Sequence, residues 1–281
     1  MKIATIVLNY NTSSDCQKCV GFLQKQEDIE QEIIIVDNCS CDKERLAVEQ
    51  LCSDKGCILI FNKENQGYNA GNNIGLRYAA SMEYRYAMVT NPDMEFPQQD
   101  YIIQLIAQLE NDNSIVICSS DIISAEGEHI NPQREVSYLE ELFWLITTFR
   151  NRKAKMWCHE NYKKSTFCEK IAGCCFIIRI DFLKEIGFFD ENIFLYSEEA
   201  ILAKTVKNNN KKIYYLATVY AIHRHIEKEK GNSIKRIETS FRSRKYYLQN
   251  YSGYRGLKLC LLLFSKQIQK LHHLVSYKLK K

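Results

Sequence analysis

Short apolar runs rich in β-branched residues alternate with stretches of helical spacing through the first part of the chain. Ile3 to Leu8 and Ile33 to Val36 each end in polar turn residues, and between them Asp15 to Gln26 repeats its apolar positions every three or four residues. The spacing predicts strand, helix, strand. A helix over Lys43 to Cys52, a strand over Ile58 to Phe61, a Gly-rich turn, a helix over Ala70 to Met82 and a strand over Tyr86 to Thr90 extend the series. A helix over Tyr101 to Glu110 and a strand over Ile115 to Ser119 follow, and regularity then lapses from Ser120 to Thr166. It returns with a strand over Ala172 to Arg179, a helix over Ile180 to Ile186, an acidic turn, a further helix and a strand over Lys212 to Leu216. Strands separated by helices predict an α/β fold with a mostly parallel central sheet flanked by helices. Within the irregular stretch, Tyr138 to Phe149 (YLEELFWLITTF) is apolar enough for a helix. Burial in the core is expected for it, with contact to an apolar partner as the alternative.

The C-terminal segment has a different character. Leu257, Leu261, Phe264, Ile268, Leu271 and Val275 recur at intervals of three or four, interleaved with Lys258, Lys266, Lys270, His272, His273, Lys278, Lys280 and Lys281. From Lys235 onward 12 Lys and Arg stand against the single Glu238, so residues 235–281 carry +11; the whole chain carries +4, which leaves −7 on residues 1–234. A basic amphipathic helical segment of this kind suits an anionic membrane surface, and a helix docked on the body would show the same stripe. No nucleic-acid motif accompanies the basic residues, and no nucleic-acid partner is expected.

A chain of 281 residues that is 46% apolar is long enough to bury one substantial core or two closely packed small ones. The apolar run at the N-terminus is too short for a signal peptide, and the longest run elsewhere, Leu259 to Phe264, is 6 residues. A membrane span needs about 18 to 20, so none is predicted and a cytoplasmic location is expected. The 12 cysteines lie mostly in apolar, strand-like segments and read as reduced thiols. Cys16 and Cys19 form a C-x-x-C and Cys39 and Cys41 a C-x-C, but no His lies near them and the pairs follow different strands. Small buried residues are preferred to a zinc site.

In open α/β sheets ligands bind beyond the carboxyl ends of the strands. Asn9-Tyr10-Asn11, Asp37-Asn38 and Asn91-Pro92-Asp93 all directly follow predicted strands, which delivers Asn and Asp to one sheet edge. Any one alone would be an ordinary turn. Gly67, Gly71 and Gly75 fall at intervals of four within NKENQGYNAGNNIGLR. They allow either close approach of a diphosphate to the backbone at a helix start or close packing of the helix itself. Neither G-x-G-x-x-G nor the G-K-[ST] of a P-loop is present. A carboxylate such as Asp93 at a strand end can hold a divalent ion that carries a diphosphate. Glu198 and Glu199 are adjacent at a helix start, where one can act as a base while the other binds a hydroxyl; a solvated first turn is the plain alternative. His223 follows the strand-like Val219 to Ile222 and offers a metal or phosphate contact.

Taken in order, the chain resembles the family 2 glycosyltransferases, in particular the bacterial rhamnosyltransferase-like branch that builds surface polysaccharides. The resemblance runs through IVLNYN (Ile6 to Asn11), VDNCS (Val36 to Ser40), NQGYNAGNNIG (Asn65 to Gly75), NPD (Asn91 to Asp93), AGCCFIIR (Ala172 to Arg179), GFFDENIFLYSEE (Gly187 to Glu199) and His223. It implies a GT-A fold over residues 1–225, with a nucleotide-sugar-binding half (1–95), an acceptor-binding half (96–225) and the basic helical extension at 226–281. By the same resemblance Asn9 and Tyr10 begin the nucleotide pocket and Asp37, with Asn38 beside it, binds the base. Asn65, Gly67, Gly71 and Asn72 shape the wall near the ribose and diphosphate, Asn91 stands beside Asp93, and Asp93, with His223, holds Mg²⁺ or Mn²⁺. Glu199 stands where the base Asp normally lies, with Glu198 as its alternative, and Ala200-Ile201 replaces a further acidic residue common in the family. The implied reaction is inverting transfer of a sugar, rhamnose from dTDP-rhamnose, onto a growing lipid-linked glycan at the inner face of the cell membrane. UDP-galactofuranose, UDP-galactose or UDP-glucose are alternative donors, and a non-catalytic nucleotide-sugar-binding subunit is the alternative role.

Overall fold

The computed structural model describes residues 2–151, 162–224 and 233–279. The N-terminal series is β1 (Lys2–Asn9), α1 (Ser13–Leu23), β2 (Glu30–Asp37), α2 (Asp42–Lys55), β3 (Ile58–Phe61), α3 (Tyr68–Ser81) and β4 (Tyr86–Thr90). A short β5 (Met94–Glu95), α4 (Tyr101–Asn111) and β6 (Ile115–Ser124) follow, then α5 (Tyr138–Leu142), α6 (Trp144–Asn151), β7 (Thr166–Cys168), β8 (Cys175–Arg179), α7 (Ile180–Ile186), α8 (Glu198–Asn208) and β9 (Lys212–His223). Two long helices, α9 (Ser233–Asn250) and α10 (Gly256–Lys278), end the described chain.

One sheet joins the strands in the order β3-β2-β1-β4-β8-β6-β9-β5, with β7 also on β9. β1, β2, β3 and β4 are mutually parallel. Beyond them the sheet is mixed: β8 runs antiparallel to both β4 and β6, β6 and β9 are parallel, and β5 and β7 run antiparallel to β9. The parallel half is the half in which every strand is reached through a helix, and parallel neighbours need that kind of crossover. β9 is one continuous strand where the sequence predicts two, because a register irregularity against β6 carries the chain past Leu216 and on to Tyr220.

Helices cover both faces. Ile3, Val7, Ile33, Ile35, Tyr86 and Met88 pack on one side against α1, α2 and α4, where Cys16 and Cys19 are buried among them. Ala4, Ile6, Leu8, Ile34, Val36 and Val89 pack on the other against α3, α7 and α8. Burial on both faces is why these strands read as unbroken apolar runs rather than alternating ones.

The Tyr138 to Phe149 expectation is corrected. The segment breaks at Phe143 into α5 and α6, and Leu139, Phe143, Leu145 and Ile146 are exposed while Trp144 is buried. A small third core links it to the end of the chain: Ile193, Ile201, Tyr247, Leu248 and Leu262 are buried together, with Tyr138 and Leu142 packed on them. No helix of the described residues is long and apolar enough to cross a membrane.

Candidate active site

The carboxyl ends of β1 and β2 form a tight polar floor. Asn9 Nδ2 donates to Asp37 Oδ1 at 2.8 Å and to Ser40 Oγ at 3.2 Å, and Ser40 N–H donates to the other Asp37 oxygen at 3.1 Å. Asn38 Nδ2 donates to Asn65 Oδ1 at 3.1 Å, and Asn62 Nδ2 donates to Asn38 Oδ1 at 2.9 Å. Asn9, Asp37 and Asn38 are all buried. These side chains, which the resemblance assigns to the nucleotide pocket, are tied to one another at the sheet edge, and the Asp37 carboxylate retains acceptor capacity beyond these bonds. Tyr10 is half exposed, and the Arg45 guanidinium lies 4.5 Å from the centre of the Phe61 ring, so these groups face outward at the same edge.

The glycine spacing resolves in favour of close packing. A Cβ on Gly71 would lie 2.6 Å from Leu8 Cδ1, and one on Gly75 2.7 Å from Ile6 Cγ2, so α3 sits directly on β1. Gly67 has φ +108° and its missing Cβ would lie 2.7 Å from Phe194 Cα. Gly67 and Gly71 thus pack against protein, and the Asn65 side-chain carbonyl accepts from Gly67 N–H at 3.0 Å. Tyr68 N–H donates to Phe194 O at 2.8 Å, Asn69 Nδ2 to Asp190 O at 2.8 Å and Asn73 Nδ2 to Phe189 O at 2.8 Å. The asparagines of α3 thus clasp the loop that leads to the acidic pair. Asn72 Nδ2 donates back to Tyr68 O at 3.0 Å, and its buried Oδ1 has no hydrogen-bond partner among the described residues.

At the end of β4, β5 pairs with β9 so that Met94 faces His223. This register sets Asp93 Oδ1 3.2 Å from His223 Nε2, and Arg224 N–H donates to Asp93 O at 2.9 Å. Asn91 is fixed from two sides: its N–H donates to Cys174 O at 2.8 Å, and its Oδ1 accepts from the Tyr68 hydroxyl at 3.1 Å. The same hydroxyl lies 2.8 Å from Gly173 O. Tyr68 therefore ties β4, α3 and the strand-leading turn before β8 together, a role that no motif in the chain signals.

The acidic pair opens α8. Tyr196 (φ 72°) and Ser197 (φ 71°) both adopt left-handed backbone just before it, a conformation rare outside glycine and asparagine. The turn folds Glu198 back so that its Oε1 accepts Tyr196 N–H at 2.7 Å, and points Glu199 at Gly173, whose N–H donates to Oε1 at 3.4 Å. A side chain at Gly173 would press on Glu199, since a Cβ there would lie 3.3 Å from its Cγ. Burial first, and then the neighbouring Glu199 carboxylate, push the Glu198 carboxyl up to about 7. A cleft of about 430 Å³ gathers Tyr68, Asn91, Gly173, Glu198, Glu199 and His223 on its walls. Strand ends and an acidic helix start, far apart in sequence, thus meet in one cavity.

A mixed α/β sheet with helices on both faces and this cleft at its strand ends has the GT-A glycosyltransferase fold. The chain belongs to glycosyl transferase family 2, whose family model matches residues 5–187, and it is therefore a glycosyltransferase that acts with a nucleotide sugar. It is 25% identical over 275 residues to the low-salt glycan biosynthesis hexosyltransferase Agl10 of Haloferax volcanii, covering 96% of this chain and 79% of that protein. It is 21% identical over 277 residues to the GalNAc(5)-diNAcBac-PP-undecaprenol beta-1,3-glucosyltransferase of Campylobacter jejuni, covering 92% of this chain and 87% of that one. Among solved structures, the mannosyltransferase PcManGT of Pyrobaculum calidifontis, in complex with GDP-Man and Mn²⁺, superposes with a TM-score of 0.61 at 14% identity, over 94% of this chain and 68% of that one.

Proposed function

We propose that the protein is an inverting, metal-dependent glycosyltransferase that extends a lipid-linked glycan. The observation that carries this reading is the shared cleft: Glu199 and Glu198 stand on one wall, and the end of the Asp93–His223 pair stands on another. Burial and the neighbouring Glu199 carboxylate push the Glu198 carboxyl up, and Glu198 Oε1 already accepts Tyr196 N–H, which favours Glu199 as the group that takes the acceptor's proton. The acceptor oxygen then bonds to the anomeric carbon from the side opposite the departing nucleoside diphosphate, and a single displacement of this kind inverts the centre. Gly173 N–H, donating to Glu199, and the hydrogen bond from Tyr196 N–H to Glu198 hold the two carboxylates in separate orientations.

A carboxylate oxygen and an imidazole nitrogen 3.2 Å apart fit a divalent ion whose remaining ligands come from a diphosphate, so Asp93 and His223 would hold Mg²⁺ or Mn²⁺. When bound, such an ion neutralises charge on the leaving diphosphate. The structural neighbour in complex with GDP-Man and Mn²⁺ supports a divalent ion beside a nucleotide sugar in this fold. The sequence motifs favour rhamnose from a dTDP-sugar as the donor. The names of the two relatives, a hexosyltransferase and a β-1,3-glucosyltransferase, favour a hexose such as glucose as the second reading.

The undecaprenol-linked acceptor in the name of the Campylobacter relative supports a lipid-linked acceptor here. So does α10. Leu257, Leu261, Phe264, Ile268, Leu271 and Val275 are all exposed, and Leu262, Ser265 and Lys266 face the body instead. With exposed Leu139, Phe143 and Ile146 nearby on the α5–α6 turn, this stripe suits peripheral attachment to the inner, anionic face of the cell membrane.

Release of nucleoside diphosphate from a panel of dTDP- and UDP-sugars, with Mn²⁺ or with EDTA, tests the reading. Selective, metal-dependent release that is lost in Asp93→Ala and in Glu199→Gln is expected. Donor binding without release in the presence of acceptor extracts would instead indicate the non-catalytic subunit.

A further inference from the structure

Behind Glu199 lies a second cavity, about 980 Å³ in volume, enclosed by α5, α6, α9 and α10. Its size is at the upper end for small-molecule sites. Tyr196, Ser197 and Glu199 line both it and the cleft, so the two spaces meet at the proposed base. Four cations line the second cavity: Lys170, Arg236, Arg244 and Lys266. Two of them are engaged. Arg244 clamps Glu141 through Nε at 2.6 Å and through Nη2, and Lys266 Nζ lies 3.2 Å from the same carboxylate. Glu140, also on the wall, is held by Arg134 at 2.6 and 2.9 Å.

Lys170 and Arg236 are left over. Neither forms an ion pair among the described residues, and the buried Nε of Arg236 has no hydrogen-bond partner among them. Burial pulls the Lys170 ammonium pKa down, with the nearby Glu199 opposing that effect. Glu135 and Glu141 also act on Lys170 from a distance, but a half-buried guanidinium and a half-buried ammonium with no direct ion pair among the described residues carry a desolvation cost that an anionic ligand offsets. Charge-assisted hydrogen bonds from such groups are the strong ones, and the planar guanidinium suits a phosphate or carboxylate.

We propose that this cavity is the acceptor subsite and that Lys170 and Arg236 select acceptors carrying an anionic group, phosphate or carboxylate, within a sugar unit or two of the accepting hydroxyl. The proposal rests on the reading of Glu199 as the base, since that is what places the accepting hydroxyl at the junction of the two spaces.

Calorimetric titration of the full chain with three probes tests it: decyl phosphate-linked glucose, decyl glucuronide and neutral decyl glucoside. The alkyl chain is common to all three, so differences report the charge. The charged probes are expected to bind at least tenfold more tightly than the glucoside. Lys170→Gln and Arg236→Gln are each expected to reduce that preference about tenfold, the worth of a charge-assisted hydrogen bond, with glucoside binding unchanged as the control for folding. Lys170→Arg and Arg236→Lys should retain most of it. The tighter of the two charged probes names the source of the anion. Equal binding of charged and neutral probes, or a preference that survives both Gln variants, overturns the proposal. A preference abolished by Asp93→Ala overturns it as well, because the anion would then sit in the donor site. Absence of UDP and dTDP binding with the anion preference intact would sink the transferase reading and, with it, the assignment of this cavity to the acceptor, leaving an anion site alone.

Discussion

Replacing Glu198 by Gln separates the work of the two adjacent carboxylates. In the folded protein, burial and behind it the Glu199 charge hold the Glu198 proton up to about 7, against an ordinary value of 4.5. Between those values the folded chain keeps a proton that the unfolded chain has released. The stability this group contributes is therefore complete below pH 4.5 and is lost as pH rises through about 7. At about 1.4 kcal/mol per pH unit the loss amounts to about 3 kcal/mol. A Gln is uncharged throughout, and its amide oxygen can still accept the Tyr196 N–H that now lies 2.7 Å from Glu198 Oε1. Glu198→Gln should thus gain on the parent as pH rises, its advantage in unfolding free energy growing by about 2 to 3 kcal/mol from pH 5 to pH 8. Urea titrations followed by circular dichroism at the two pH values measure the difference, and repeating them in a Glu199→Gln background isolates the share due to the neighbouring charge. An advantage of the same size at both pH values would refute the burial argument and, with it, the division of labour between the two carboxylates.

Gly67→Ala places a methyl group against the backbone of Phe194 at a residue with φ +108°, so a loss of about 2 kcal/mol or more in urea unfolding is expected, together with reduced turnover because the displaced loop leads to Glu198. Arg244→Met leaves the buried Glu141 carboxylate with Lys266 alone; a loss of about 3 kcal/mol is expected, and an unchanged thermal midpoint would show that this clamp does not hold α9 and α10 to α5. Phe264→Glu with Ile268→Glu alters only exposed positions, so it should leave the thermal midpoint within a degree or two while abolishing flotation with anionic vesicles at low salt; retained flotation would remove α10 from the membrane reading.

The parallel half of the sheet was legible because each element there is specified locally. The runs Ile58–Phe61 and Tyr86–Thr90 and the helix Ile180–Ile186 begin and end at the residues where the pattern changes. The polar residues that follow strands were legible as a site edge for the same reason. What they do was not legible, since a buried Asn9 that donates to Asp37 and an Asn9 that faces a ligand have the same sequence. The glycine interval in α3 was equally ambiguous until Leu8 and Ile6 were seen against it. In Tyr138 to Phe149 apolar residues fall on almost every side of a helix, so periodicity could not say which face turns inward. The residue that decides it is Glu141, buried by a partner 103 positions away in Arg244. The antiparallel entry of β8 was not legible, because the irregular stretch before it has no strand–helix alternation from which a crossover could be read. The extension at the C-terminus is also less separable than its charge implies, because Leu248 and Leu262 complete a core with Ile193 and Ile201 of the body.

The two faces of α10 bear on one another. A docked surface helix ordinarily turns its apolar side inward, yet here Lys266, Gln269, His273 and Tyr277 look into the second cavity while the leucine stripe looks out. The inward polar face is stable because the space behind it is a cavity with Glu141, Arg244 and Lys266 already paired on its wall. The outward apolar face is costly in water and acquires a reason only if something apolar covers it. A membrane covering that face would put one wall of the acceptor cavity at the lipid surface, with Glu199 at the cavity's inner end. An acceptor tethered in the bilayer would then reach the base without leaving its anchor, and its charged group would travel past Lys170 and Arg236 on the way. On the proposed membrane reading, one helix would fix the depth at which the protein sits and line the route by which its substrate arrives. That arrangement would account for a sequence pattern, apolar stripe and basic residues interleaved, that neither a plain docked helix nor a plain surface anchor accounts for by itself.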